Sequence, residues 1–465
     1  MDESIRVPIV LIGVSVIIIN FIRSPLVATM YIIALQKVID ILWFIKVPLG
    51  SFDLSMQRVV YTVLPLALLM VVVGRGRKVE FPLKMPMKIV LTVFAICVGV
   101  NVFRSPFLSD AIADFFKIAG SYIVFGAGWY YFDNEEKFDQ FAKLFIFTYL
   151  ISFVGLILQL TGIFQLADIG VAQQLASNYG VEGRGERYAG FYNDSATQAM
   201  YLYTLIPLCL YMLEKRNTDR KWMYYAMLGV AGLATYFSFS RGVWISVGLQ
   251  IAFWLLLNRK FLGFGAIIGL VFVGLTTNEF LQGFFSDILE RQTVAGSGRD
   301  ALWGAITTSF DNGTVVEKIF GQGLLSHSLT LQPLFPDRDY SSGQREKGHS
   351  DFYEYLHDLG YVGFALYAVI VVWMTWIIIN NIALLGRRKY PKELELKYKV
   401  WAVMLVFYVI NIIGYSSRWP SFTWPFWFIA GLVFKPPQFF MQQAAVNPAD
   451  EVIDVNPKLS PQPYY

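Results

Sequence analysis

Among only three histidines in the chain, His349 and His357 lie about two helical turns apart, where a polar loop runs into a long apolar stretch. Histidine has the unperturbed pKa closest to neutral, so at such a junction it can take a proton from a hydroxyl without being retuned by its surroundings. The local order is Gly348-His349-Ser350, nine further residues, then Gly360-Tyr361-Val362-Gly363. His349 is the candidate general base. His357, beside Glu354 and Asp358, reads as structural, and His327, behind Gly321-Gln322-Gly323, as part of a flexible stretch. His349, Asp351, Glu354 and His357 offer nitrogen and oxygen ligands at near-helical spacing, but they lack a defined two-His-one-carboxylate arrangement, so no metal site is predicted.

Arginines are the second group able to do chemistry. Arg241, in Phe239-Ser240-Arg241-Gly242, falls between two apolar runs joined by almost no loop. A cation at a membrane boundary must find headgroups, water or an anion, and the planar guanidinium fork is suited to gripping phosphate oxygens two at a time. Arg299, in Gly296-Ser297-Gly298-Arg299-Asp300, precedes the helical-looking run Ala301-Leu302-Trp303, whose free amides would add to an anion site if Ser297 or Asp300 capped it. Arg184 and Arg187, in the stretch from Gly183 to Phe191, and Arg418, before Trp419-Pro420, carry the same ambiguity between surface charge and ligand. Several arginines from separate loops, with His349, suggest a diphosphate pocket at the membrane surface and hence a lipid-linked substrate.

The elements that must hold these residues are membrane helices. Hydrophobic residues make up 55% of the chain and charged ones only 15%, with a mean hydropathy of +0.49, a balance no ordinary soluble domain approaches. Apolar runs near 7–22, 58–74, 86–103, 111–132, 141–164, 196–213, 222–238, 241–257, 261–276, 353–384, 398–416 and 418–434 predict an all-α polytopic membrane protein of about twelve spans. Lys and Arg concentrate in the connectors after residues 74, 213, 257 and 384. The positive-inside rule makes these connectors cytoplasmic, and each is separated from the next by an even number of spans.

Residues 1–434 then form one integral-membrane domain, with outward loops over about 165–195 and 277–352, both long enough to expect a function. Residues 26–45 are apolar but carry Gln36, Lys37 and Asp40 at one-turn spacing; we expect an amphipathic helix lying in the interface, the other reading being a further span. From 435 to 465 the composition predicts a disordered cytoplasmic tail. Cys97 and Cys209 fall in apolar runs and read as packing residues, and the first apolar run lacks a small-residue cleavage site, so it is expected to be retained. Glycines such as those of Gly74-Arg75-Gly76 lack the strand-turn-helix setting of a nucleotide cradle, so neither a nucleotide cofactor nor a nucleic-acid partner is expected.

These residues together resemble the O-antigen ligase and O-antigen polymerase superfamily of bacterial surface-glycan membrane enzymes. The ligase signature His-[Asn/Ser/Gln]-x9-Gly-x-x-Gly is met by His349, Ser350, Gly360 and Gly363. Likeness extends over roughly residues 60 to 434 and is strongest from Ser240 to Gly363; Arg184 and Arg187 look like the family's upstream arginine region. The resemblance implies a GT-C-type bundle in the bacterial inner membrane with a periplasmic active site. It implies inverting, metal-independent glycan transfer from undecaprenyl diphosphate to an acceptor glycan or glycolipid such as lipid A core, without a cofactor. Arginines, Arg241 and Arg299 first, would hold the diphosphate while His349 aids the acceptor hydroxyl. A polymerase joining lipid-linked repeats of O-antigen or exopolysaccharide is the nearest alternative, and a protein oligosaccharyltransferase is a third member of the superfamily. A transporter of lipid-linked oligosaccharide is the alternative of another class, but repeated halves and interrupted helices at matching positions, which transporters tend to show, are not evident.

Overall fold

In the computed structural model the described residues are 3–42, 46–49, 52–55, 57, 59–61, 65, 68, 85–133, 135–163, 188, 190–192, 195–216, 218–238, 241–277, 299–336, 345–387, 390–414 and 420–440. They are helical apart from turns, loop segments and one short antiparallel hairpin, β1 (Lys46–Leu49) with β2 (Phe52–Ser55). In chain order the helices are α1 (Glu3–Arg23), α2 (Pro25–Ala34), α3 (Gln36–Ile41), α4 (Met85–Phe103), α5 (Leu108–Tyr131), α6 (Glu135–Leu160) and α7 (Ser195–Glu214). Then follow α8 (Lys221–Phe237), α9 (Arg241–Leu257), α10 (Phe261–Thr277), α11 (Arg299–Asn312), α12 (Val315–Phe320), α13 (Ser326–Leu331), α14 (Asp351–Arg387), α15 (Lys392–Gly414) and α16 (Pro420–Val433).

Among the described residues four helices are long and apolar enough to cross a membrane: Pro86–Phe103, Leu108–Tyr131, Glu136–Leu160 and Asp351–Arg387. Their outer sides carry the exposed apolar side chains that lipid would cover, for example Ile89, Val93, Ile96 and Val100 along α4. α16 is different, since every residue from Pro420 to Val433 is buried. It crosses α5 so closely that a Cβ on Gly128 would fall 2.0 Å from the Phe428 carbonyl oxygen, and one on Gly431 2.2 Å from the Trp129 nitrogen. Small residues at such a crossing let two backbones meet where lipid gives no hydrophobic drive to association.

Polar contacts sort the helix termini into two ends. At one end Lys215 pairs with Asp139, Lys260 with Glu214, Lys399 Nζ donates to Asn258 Oδ1 at 3.0 Å, and Asn381 Nδ2 donates to the Val433 carbonyl at 2.9 Å. The α5–α6, α9–α10 and α14–α15 connections and the C-terminus of α7 therefore share that end. At the other end Asn101 and Arg104, closing α4, donate to the Phe320 carbonyl, and Arg345 meets Asp110 at the start of α5 at 2.9 Å. The starts of α9 and α14 and the ends of α8 and α15 face that way. The connectors after residues 213, 257 and 384 lie at the first of these ends, while most of the connector after residue 74 lies outside the described residues.

Two expectations are corrected. Residues 26–42 do not present a polar face to an interface, since Gln36, Lys37 and Asp40 in α3 are all buried; residues 43–45 of the predicted segment lie outside the described residues. The polar side chains turn inward because partners wait there: Asp40 accepts from Gln57 Nε2 at 2.8 Å, from Ser421 Oγ at 3.0 Å, and from the hydroxyls of Tyr61 and Tyr201. The Lys37 ammonium donates to the Ala34 carbonyl at 2.9 Å and lies 3.2 Å from the centre of the Phe145 ring. Residues 435–440 are also not part of a disordered tail. Lys435 and Phe440 are buried, and Lys435 Nζ donates to the Phe132 carbonyl at 2.7 Å; residues 441–465 lie outside the described residues.

Candidate functional site

His349 sits in the residues leading to α14, half-buried, with φ of 55°. That left-handed conformation is uncommon outside glycine and marks a backbone held by its neighbours. One clamp is visible on the preceding residue, where Trp303 Nε1 donates to the Gly348 carbonyl at 2.9 Å while the Trp303 ring stacks on Tyr353. A Cβ on Gly348 would lie 2.8 Å from Ile306 Cδ1 and 3.0 Å from Glu354 Cγ, side-chain atoms that would have to shift to make room. Trp303 and Ile306 belong to α11, the helix that Arg299 opens, and Arg299 precedes Trp303 by one turn. The structure thus brings the Arg299 helix and the His349 loop to one junction.

Behind this junction the loop is fastened to α14 by a buried polar network. Asp358 accepts from the Leu325 amide at 2.8 Å, the Ser326 hydroxyl at 3.1 Å, the His327 amide at 3.1 Å and His327 Nδ1 at 2.9 Å. The Ser326 proton is committed to Asp358, so Ser326 Oγ, 3.1 Å from His357 Nδ1, accepts from that nitrogen. His357 Nε2 then takes the Ser309 hydroxyl at 3.1 Å, and Ser309 Oγ accepts from Thr330 at 3.2 Å. Both ring nitrogens of His357 are used inside the network, in keeping with a structural histidine. His327 is not in a flexible stretch; it lies buried in α13, its imidazole on Asp358. Among the described residues no group of three or more His, Cys, Asp and Glu side chains is arranged to hold a metal ion.

Gly360 makes the fastening possible. Its φ of 68° and ψ of −171° break the helical path of α14, and a Cβ there would lie 2.5 Å from the Gly321 nitrogen and 2.6 Å from the Ile319 oxygen. Only glycine enters that region of backbone space at little cost. The Gln322 amide donates to the His357 carbonyl and the Gly323 amide to the Asp358 carbonyl, each at 3.1 Å, so the loop backbone satisfies carbonyls that the kink leaves without helical partners. The first glycine of the signature is therefore the point where the α12–α13 loop lies against α14.

A second corner of the same end holds Arg241, the first residue of α9. The Tyr188 amide donates to the Phe237 carbonyl at 3.4 Å and its ring meets Phe237 edge-on, so the chain just past Arg187 reaches the α8–α9 connection. α15 packs against both α9 and α14. Arg184, Arg187 and Arg418 lie outside the described residues, as does Ser297. Sequence reasoning did not find Trp303, Asp358 as the hub of the loop, or Arg345, whose guanidinium lies over the Phe107 ring and against Asp110. None of these has a local pattern; each acts through a partner tens or hundreds of residues away.

Deeper between α9, α14 and α15 is a groove of about 510 Å³ lined by Phe253, Leu257, Ile379, Ile382, Val409 and other apolar groups. Its walls suit hydrocarbon and not sugar. No protein-family model and no curated protein matches the chain.

Proposed function

We propose that the chain is a membrane-embedded, metal-independent glycosyltransferase of the O-antigen ligase type, built on about twelve spans with a GT-C-like arrangement. It would act on the periplasmic face of a bacterial inner membrane and move a glycan from undecaprenyl diphosphate to an acceptor hydroxyl on lipid A core or a similar glycolipid. The observation that carries this reading is the junction of His349 with the Arg299 helix, fixed by Trp303 on Gly348 and by the kink at Gly360. Arg299 opens α11 and His349 leads into α14, and the Trp303–Gly348 contact brings these two segments together at the end of a long apolar helix.

In this reading His349 receives the acceptor hydroxyl proton as the oxygen bonds to the anomeric carbon. The sugar–phosphate bond breaks, its electron pair leaves on the diphosphate, and Arg299 and Arg241, with Arg187, Arg184 and Arg418 as further ligands, stabilise that charge. Attack from the face opposite the leaving group inverts the anomeric centre. No cofactor is needed, because the diphosphate is itself an activated leaving group.

The test is glycan transfer by the purified chain in nanodiscs supplied with an undecaprenyl-diphosphate glycan and acceptor. His349→Ala and Arg299→Ala should each lower transfer by about a hundredfold or more while eluting as folded protein, in the range typical of a general base or a charge-stabilising donor. Full activity of His349→Ala would remove the base from the mechanism. Product made only with a second lipid-linked repeat as acceptor would make the enzyme a polymerase.

A further inference from the structure

α12 is six residues long and buries none of its side chains. Four of the six are apolar and turned outward: Val315 is 72% exposed, Val316 60%, Phe320 51% and Ile319 38%. Tyr361, just past the α14 kink, is 55% exposed, and Phe103, the last residue of α4, 85%. These residues are neighbours, because Asn101 Nδ2 donates to the Phe320 carbonyl at 3.0 Å and the Ile319 backbone lies against Gly360. A contiguous apolar patch on a polar loop calls for a cover.

Its position says what the cover is. Along α4 the exposed residues Ile89, Val93, Ile96, Val100 and Phe103 form one stripe at helical spacing, the lipid-facing side of a candidate span. At 1.5 Å per residue α4 covers roughly 28 Å, close to the roughly 30 Å of a hydrocarbon core, so Phe103 falls at the boundary and the α12 patch continues the stripe at that level. Arg104 Nη1 donates to the Phe320 carbonyl at 3.3 Å, which sets a cation at headgroup depth. Glu317 and Thr314 satisfy each other in a capping box, the Thr314 amide donating to Glu317 Oε2 at 2.7 Å, so the first turn needs no water there.

We propose that α12, with Phe103 and Tyr361, is an interfacial anchor whose apolar side chains sit in the outer edge of the bilayer. Its occupant is lipid acyl chain beneath the headgroups. Because α12 is packed on the Gly360 kink, the anchor would fix the height of the His349 junction above the membrane. The proposal rests on the membrane placement of α4 and α14 and is independent of the glycan-transfer reading.

The test is a nitroxide at Val316→Cys in a Cys97→Ala, Cys209→Ala background, in nanodiscs of phosphatidylethanolamine and phosphatidylglycerol. The anchor predicts relaxation several-fold stronger by oxygen, which partitions into lipid, than by a water-soluble nickel chelate, and the reverse for a label at the exposed Asp311. Nickel access at 316 equal to that at 311 would overturn it, and protection from both reagents would place protein over the patch and overturn it equally. If Val316→Cys does not elute as folded protein, Val315→Cys carries the same measurement.

Discussion

Two buried carboxylates, Asp358 and Asp40, each gather several hydrogen-bond donors, yet they tie together very different lengths of chain. Asp358 draws on residues 31 to 33 positions away, all within the loop that α14 follows. Asp40 reaches Gln57 and Tyr61 at 17 and 21 positions but also Tyr201 at 161 and Ser421 at 381. The first uses backbone amides, a serine and an imidazole, groups a loop supplies for itself. The second uses tyrosines, a glutamine and a serine from separate helices, because inside a bundle the helical amides are already taken. One network therefore shapes a loop, and the other fastens α3 to α7 and α16 at the centre of the fold.

Removing both acceptors should separate those roles. Asp40→Ala leaves two tyrosine hydroxyls, Gln57 and Ser421 without their shared partner at a site that water does not reach, a loss on the order of 3–5 kcal/mol. We expect a large drop in thermal unfolding temperature and loss of the folded peak in detergent. Asp40→Asn should cost less, because hydroxyls can rotate to accept from the new amide. Asp358→Ala should instead leave the bundle nearly as stable while hydrogen exchange rises across 299–331 and 345–350 and stays low in α7 and α16. Equal exchange in the loop and in α7 after Asp358→Ala would erase the distinction.

The next effect in size sharpens the loop side alone. Gly360→Ala places a Cβ against the Gly321 and Ile319 backbones, atoms that cannot swing aside as a side-chain tip can, and adds strain of roughly 1–3 kcal/mol for a non-glycine residue in that conformation. Exchange should increase at the Gln322 and Gly323 amides, and glycan transfer should fall with the displaced His349 junction. Gly386→Ala, where an added Cβ meets nothing within 4 Å, is the matched control and should leave both unchanged.

The contrast also explains what could be read in advance. Helix bounds were legible because a span imposes a length: α9 occupies 241–257, as its apolar run does, and α4 spans 85–103 against an apolar run of 86–103. The direction of a polar face was not, since Gln36, Lys37 and Asp40 have the same spacing whether they meet water or the inside of a bundle. Tyr201 and Ser421 decide that, and they are far away in sequence. At the candidate site His349, Gly360 and Gly363 form a local pattern, whereas the pairing of Trp303 with Gly348 and of His327 with Asp358 arises only when the loop closes on α14.

The smallest effect lies at the opposite end of the bundle, where Lys435 offers a third kind of buried charge, one whose burial outweighs the pull of the Asp133 carboxylate. Its ammonium donates to the Phe132 carbonyl and is walled by Trp129, Phe439 and Phe440, and burial draws its pKa from 10.5 down to about 7. Below about pH 7 the folded and unfolded chains both carry the proton and the cost of burying it is fully present. Between about 7 and 10.5 the unfolded chain holds a proton that the folded chain has released, so rising pH stabilises the fold, by at most about 1.4 kcal/mol per pH unit. Thermal unfolding in detergent at pH 7 and pH 9 should show this gain, and Lys435→Met should flatten it. An unchanged pH slope in that variant would mean the ammonium reaches water, as a residue of a frayed tail would, and the packing of 435–440 against α5 would lose its support.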